Sequence, residues 1–158
     1  MSKPQDRHAG LFAPLSLGGK TAPNRFVFAA HQTNFATHNR FTERHVAYYE
    51  TRAAGGAGTI VLEGSVVHPS DWPYEYAIFG YEAAVVDGYR QIADALHRHG
   101  ALALAHLTHG GMQGSSHYSQ LPLWAPSPVP EVNSRELPQA MDADDIAAVI
   151  QGFRQAAR

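Results

Sequence analysis

The sequence predicts an α/β fold built on a parallel sheet, and three observations predict it. Three short apolar runs with strand character alternate with three segments of helical periodicity. The segments that follow the runs are long and rich in Gly, Pro, His and aromatic residues. The composition is that of a globular chain, 44% hydrophobic and 16% charged over 158 residues, enough for one domain with a sizeable core. Strand, helix, strand, helix, strand, helix is the pattern of right-handed βαβ units.

The elements follow in order. Two short apolar pieces around Gly18-Gly19, within Leu11 to Asn24, read as a hairpin or lid. "RFVFAA", Arg25 to Ala30, reads as the first buried strand. "TERHVAYYETRAAGG" places Val46, Tyr49 and Ala53 at helical spacing, with Thr42 as N-cap and Gly55-Gly56 as the stop. "TIVLE", Thr59 to Glu63, is the second strand, rich in β-branched residues. Val85, Tyr89, Ile92 and Leu96 line the next helix face, which ends at Gly100. "ALALAHL", Ala101 to Leu107, is the third strand. The last helix has Asp142 as N-cap, acids in its first turn, and Ile146, Val149, Ile150 and Phe153 on one face. Three such units do not close a barrel, which needs eight units and roughly 250 residues, so a truncated chain is expected.

Composition excludes several classes. A net charge of -2 without a basic stripe argues against nucleic acid and anionic membranes as partners. The absence of cysteine excludes disulfides, thiolate metal sites, a cysteine nucleophile and iron–sulfur ligands within these residues. "MSKPQDRHAG" has no signal-peptide core, and no apolar run approaches the ~20 residues that span a bilayer. A cytoplasmic protein is expected. Histidine is over-used, at 10 residues, and His8, His38 and His97 lie in polar surroundings that suit surface positions.

The long segments, Gly64 to Gly80 and Gly110 to Ala140, follow the C-terminal ends of strands, where parallel α/β folds bind ligands. His106-x-x-His109 at a strand end is compatible with a metal site, with His31 or Glu63 as a third ligand, but without an H-E-x-x-H motif it fits two ordinary strand-end histidines better. Gly55-Gly56-Ala57-Gly58 follows a helix and opens a strand, the reverse of a dinucleotide fingerprint, and is a helix stop. Gly110-Gly111 follows a strand, where backbone can approach a ligand closely. Neither a P-loop nor a G-x-S-x-G elbow occurs.

The order of the blocks "LFAPLSLGGKTAPNRFVFAAHQTN", "YYETRAAGGAGTIVLEG", "LAHLTHGGM", "APS" and "MDADDI" resembles the N-terminal half of the Old Yellow Enzyme, or NADH:flavin oxidoreductase, family. It is most similar to the branch of 2,4-dienoyl-CoA reductases, trimethylamine dehydrogenase and N-methylproline demethylases. The resemblance covers Leu11 to Arg158. It implies an FMN-containing (β/α)8 TIM barrel, of which residues 1–158 hold the hairpin and about three β/α units. The hairpin, residues 11–24, would plug the barrel bottom.

The resemblance also implies the cofactor-binding residues. Ala30, His31 and Gln32 would border the isoalloxazine, Gly64 would lie near the flavin pyrimidine, and His106 stands where the family has a glutamine that bonds the pyrimidine edge. Met112 stands where the family has arginine, and His109 would be a fixed feature of the loop behind. Hydride would pass between NAD(P)H, or an N-methylated amine, and an organic substrate through flavin N5. His31-Gln32-Thr33 in place of P-M-T favours the demethylase or dienoyl-reductase branch. Catalytic residues, the phosphate grip and any 4Fe-4S cluster would fall after Arg158. The 158 residues alone are therefore expected to be inactive, and the full-length protein a homo-oligomer acting on a small molecule. The alternatives are a metal-assisted hydrolase using His31, His106 and His109, and an inactive gene fragment.

Overall fold

A computed structural model of the protein describes residues 8–158; residues 1–7, part of the stretch read as lacking a signal-peptide core, lie outside them. A short helix α1 (Ala9–Phe12) leads into an antiparallel hairpin of β1 (Leu15–Leu17) and β2 (Lys20–Ala22). Gly18 and Gly19 take φ values of +54° and +80°, the two left-handed positions that a tight two-residue hairpin turn demands. Asn24 fastens the end of this segment to the main sheet. Its Oδ1 accepts the Gly58 and Phe26 N–H groups, and its Nδ2 donates to the Gly56 carbonyl.

The main sheet is parallel, as the alternation predicts. β3 (Val27–Phe28) pairs with the start of β4 (Thr59–Val66), through Val27 to Thr59 and Phe28 to Ile60. A two-residue strand, β5 (Ile78–Phe79), pairs with Ser65 and Val66 at the far end of β4. β6 (Leu102–Thr108) runs along β4 from Thr59 to Val66. Since β6 takes one edge of β4 along its length, β3 and β5 share the other edge in tandem.

Helices α2 (Glu43–Ala54) and α3 (Val86–His97) cover one face. Tyr49 and Ala53 of α2, Ile92 and Leu96 of α3, Ile60 and Leu62 of β4, and Ala101 form the core. Full burial of each large apolar side chain stabilises the fold by about 1.5–3 kcal/mol. α2 begins where His45 Nδ1 accepts the Thr42 N–H at 2.9 Å, and ends at Gly55 and at Gly56, whose φ is +98°. α3 follows a 3-10 turn at Ala83–Val85, and Gly100 with φ +73° turns the chain into β6.

A β-bulge interrupts the β4–β6 ladder between Val61, opposite Leu104, and Gly64, opposite His106. The extra residue shifts the side-chain alternation. Leu62 joins the helix-facing core and Glu63 meets His45 and Tyr49 of α2, while Gly64 and Val66 face the opposite side.

The last helix, α5 (Ala143–Ala156), starts on Asp142, whose Oδ1 accepts the Asp144 and Asp145 N–H groups at 2.9 Å. The segment before it holds a one-turn helix α4 (Ser116–Ser119) and a parallel pair, β7 (Trp124–Ala125) with β8 (Gln139–Ala140).

Three sequence expectations need correction. The first strand is paired over two residues only, not Arg25 to Ala30, and Phe26 and Val27 are 40% and 55% exposed. Val27 points away from the helices, since Phe28 beside it packs into the core, and Phe26 is contacted edge-on by Phe12 of α1 with ring centroids 5.3 Å apart. The stripe on α5 is not a core face, because Ile146, Ile150 and Phe153 are exposed and the helix docks through buried Gly152. β4 extends three residues past Glu63, into a segment the sequence marks as loop.

Candidate functional site

A cavity of about 270 Å³ opens at the C-terminal ends of β3, β4 and β6. Its walls include Ala30, His31 and Gln32 after β3, Gly64 and Val66 of β4, and His106 and Thr108 of β6. All five residues singled out in the sequence therefore meet at one place, brought there by three separate strand ends. The register divides the cavity into two tiers. Gly64 pairs with His106 at the lower tier, and Val66 pairs with Thr108 at the upper. Two residues of strand rise separate the tiers by about 6–7 Å.

At the lower tier a Cβ built on Gly64 would lie 3.1 Å from Thr108 Cγ2 and 3.8 Å from His106 Nδ1. Glycine thus keeps that wall flat. Gln32 lines the cavity, and its Nε2 is buried without a hydrogen-bond partner. His31 stacks on Tyr48 of α2, with ring centroids 6.4 Å apart and planes 23° from parallel.

A buried polar cluster behind the wall fixes this segment. Glu63 is fully buried and accepts the Thr33 N–H at 3.2 Å and the Thr33 hydroxyl at 2.8 Å. Tyr49 donates its hydroxyl to the same carboxylate and accepts the Glu63 N–H at 2.8 Å. His45 Nε2 lies 2.8 Å from Glu63 Oε1. Because His45 Nδ1 accepts the Thr42 N–H, the ring proton is assigned to Nε2, toward the carboxylate. Burial, then the Glu63 charge, push the Tyr49 phenol well above its ordinary range. Thr33 follows Gln32, so this cluster anchors the cavity-lining segment to β4 and α2.

The cavity also includes Gly110, marked in the sequence for close backbone approach, and residues that sequence reasoning missed: Val66, Asp71, Pro73, Tyr74, Ala77, Thr108 and Gln113. Asp71 Oδ2 accepts the Gly110 N–H at 2.7 Å and clips the two long loops together. Nothing periodic marks Asp71; its one signal is that it is an acid in a loop following a strand. His109 does not line the cavity. Its Nε2 lies 3.0 Å from Ser70 Oγ, which in turn lies 2.9 Å from His68 Nδ1. His68 stacks on Trp124 at 4.7 Å. Burial pushes both histidines below their ordinary pKa, and burial pushes the Asp71 carboxyl up.

A hydrolytic metal site would need His31, His106 and His109 together. The structure brings the first two to the cavity and engages the third with Ser70. Among the described residues no group of three or more His, Cys, Asp or Glu side chains is placed to hold a metal ion. No described helix is long and apolar enough to cross a membrane.

Known proteins share this arrangement. A sequence model of the NADH:flavin oxidoreductase / NADH oxidase family matches residues 10–158. The chain is 32% identical over 152 residues to an N,N-dimethylglycine/sarcosine dehydrogenase of Chromohalobacter salexigens, covering 94% of this chain and 22% of that protein. It is 33% identical over 150 residues to a multifunctional alkene reductase/demethylase of Caballeronia cordobensis, again covering 94% of this chain and 22% of the relative. The crystal structure of an old yellow enzyme homologue from Zymomonas mobilis superposes with a TM-score of 0.83 at 28% identity, over 94% of this chain and 44% of that one. The chain thus spans about a fifth of the curated relatives and less than half of the solved structure. Hairpin, parallel strands and helices occur in the order of the N-terminal part of these TIM-barrel enzymes. The chain belongs to the NADH:flavin oxidoreductase / NADH oxidase family, of the Old Yellow Enzyme type.

Proposed function

We propose that the lower tier of the cavity binds the ring system of FMN, and that the whole protein is an FMN-dependent oxidoreductase moving hydride between NAD(P)H, or an N-methylated amine, and a small organic substrate. The observation that supports this most is the convergence of Ala30, His31, Gln32, Gly64 and His106 on one cavity that holds an unpartnered buried amide. When bound, FMN supplies a two-electron carrier that accepts and returns hydride.

The residues fit a flat, polar-edged ring. Gln32 Nε2 offers a donor to an acceptor at the ring edge. His106 donates or accepts there, according to its tautomer. Gly64 leaves the wall without a side chain, so a ring can approach the backbone. Glu63, through Thr33, holds the Gln32 segment in place before any ligand arrives, which lowers the ordering cost of binding.

The remaining parts of the reading follow from kinship. One relative is named as an N,N-dimethylglycine/sarcosine dehydrogenase and the other as an alkene reductase/demethylase. On that basis N-methylated amines and activated alkenes are the substrate classes to test. We place the hairpin at the bottom of a complete barrel, consistent with its Asn24 contacts to Gly56 and Gly58 ahead of β4. The phosphate grip, the catalytic residues and any 4Fe-4S cluster are assigned to the part of the fold beyond Arg158, so the 158 residues alone are inactive. A cytoplasmic homo-oligomer is the proposed state of the whole protein.

Anaerobic reduction of the flavin in the whole protein tests the reaction. Bleaching of the visible flavin band by NADH, NADPH or an N-methyl amino acid is the expected result. A flavin that none of these reduces contradicts the proposed activity.

A further inference from the structure

The loops that follow β4 and β6 both line the cavity, and a buried bridge behind its wall joins them. Ser70, 3% exposed, sets its Oγ 2.9 Å from His68 Nδ1 and 3.0 Å from His109 Nε2. One hydroxyl thus spans two histidines from different loops, whose ring centroids are 6.4 Å apart. The His68 ring also stacks on Trp124 of β7, which extends the bridge toward the segment before α5.

Hydrogen-bond geometry fixes the charge state of this bridge. The Ser70 N–H donates to His68 Nδ1 at 3.2 Å, and a ring nitrogen that accepts a bond carries no proton. His68 is therefore neutral, with its proton on Nε2. The Ser70 hydroxyl donates its single proton to His68 Nδ1, which leaves the oxygen to accept from His109 Nε2–H. A second proton on His68 has only Nδ1 to go to. There it takes away the acceptor of the Ser70 N–H, and a buried donor without a partner is costly.

Among the described residues two carboxylates act on the pair. Asp71, beside Ser70, attracts a proton on His109, and Asp145 of α5 attracts one on His68. Burial outweighs both and pushes each histidine below its ordinary value of 6.5. Burial also pushes the Asp71 carboxyl up, so acid weakens its hold on the Gly110 N–H, the neighbouring tie between the loops.

We propose that His68, Ser70 and His109 form a pH-sensitive latch between the two cavity loops, closed while His68 is neutral and released when Nδ1 takes a proton. Release is local, because the β4–β6 ladder and the helix-facing core do not include these residues. It frees the wall that carries Asp71, Pro73 and Tyr74, so acid widens the cavity. The closed latch binds protons less readily than the open one. Closure is therefore full above 6.5 and is lost as pH falls below it. Nothing in the device requires a bound flavin.

Amide hydrogen exchange of the whole protein, read on peptides and corrected for the intrinsic pH dependence of exchange, tests the latch. Residues 67–72 and 109–115 should be less protected than residues 59–62 of β4 throughout. Between about pH 7.5 and about pH 5.5 their protection should fall by up to about tenfold for each histidine that regains its ordinary pKa on opening. His68→Asn supplies an amide oxygen as acceptor in place of Nδ1 and does not titrate. It should keep the protection seen at about pH 7.5 and shrink the fall by about threefold or more. A fall of less than about twofold in the unchanged protein, or a fall of full size in His68→Asn, overturns the proposal. So does loop protection equal to that of β4, since the loops would then open only with the whole fold. Should the variant not fold, exchange of the histidine ring C–H in the unchanged protein gives the His68 pKa. A value below 6.5 supports the latch, and one at or above 6.5 overturns it.

Discussion

Glu63 sits fully buried with a threonine, a tyrosine and a histidine arranged around one carboxylate, and the cavity depends on that arrangement. Removing one partner leaves the rest stranded, and such losses exceed those of surface pairs. His45→Ala should therefore lower unfolding free energy by about 3–5 kcal/mol, measured by urea denaturation. Tyr49→Phe, which keeps the ring packing, should cost about 1–3 kcal/mol in the same assay. A second residue-scale expectation concerns pH. Burial lowers the pKa of His68 and of His109 from the ordinary value of 6.5. The folded protein then binds those protons less readily than the unfolded chain, so stability present above 6.5 is lost as pH falls below it. The urea midpoint should fall between about pH 7.5 and about pH 5.5, and a His68→Asn, His109→Asn double variant should flatten that dependence. At this scale the sequence exposed His31, Gln32 and His106, because they stand at strand ends in recognisable blocks. Asp71 and Ser70 stayed hidden, since their partners Gly110 and His109 lie 39 residues away and no local pattern encodes such a contact.

The β-bulge in β4 decides which side chains reach the cavity. Without it Glu63 would share the face of Val61, and Gly64 would share that of Ile60 against the helices. Bulges leave no trace in hydrophobic periodicity when both neighbours are buried, which is why "TIVLEG" reads simply as a strand. β5 escaped notice for a similar reason: two residues are too few to show alternation. The helices were legible because α2 and α3 each place a buried stripe at 3.6-residue spacing between clear stop signals. α5 shows the limit of that logic, since its apolar stripe is exposed and its actual contact is a glycine. A Cβ at Gly152 would collide with the Val67 carbonyl, so Gly152→Ala should destabilise the protein by about 1–3 kcal/mol or shift α5, measured by urea denaturation.

At the scale of the whole molecule, apolar surface remains open at several places among the described residues. Phe26, Val27 and Leu104 are exposed on the sheet, Ile146 and Ile150 on α5, and Val132 and Leu137 in the long loop. Exposed apolar area of this kind, beside strand edges that lack partners among the described residues, promotes association. Sedimentation of the isolated 158-residue chain should show mass rising with concentration, and a strictly monomeric chain at high concentration would argue against that view. The fold class was legible because alternation of strands and helices is a global property of the chain. The two-tier cavity was not, since it arises from register between β4 and β6 and from loops that fold back over both. The central claim is that the lower tier holds the FMN ring, and titration of FMN into the whole apo protein tests it most directly. Saturable quenching of FMN fluorescence, weakened about tenfold or more by Gln32→Ala through loss of one hydrogen bond to the ring edge, is the predicted result. Absence of saturable binding, or binding indifferent both to Gln32→Ala and to a bulkier residue at Gly64, would contradict it.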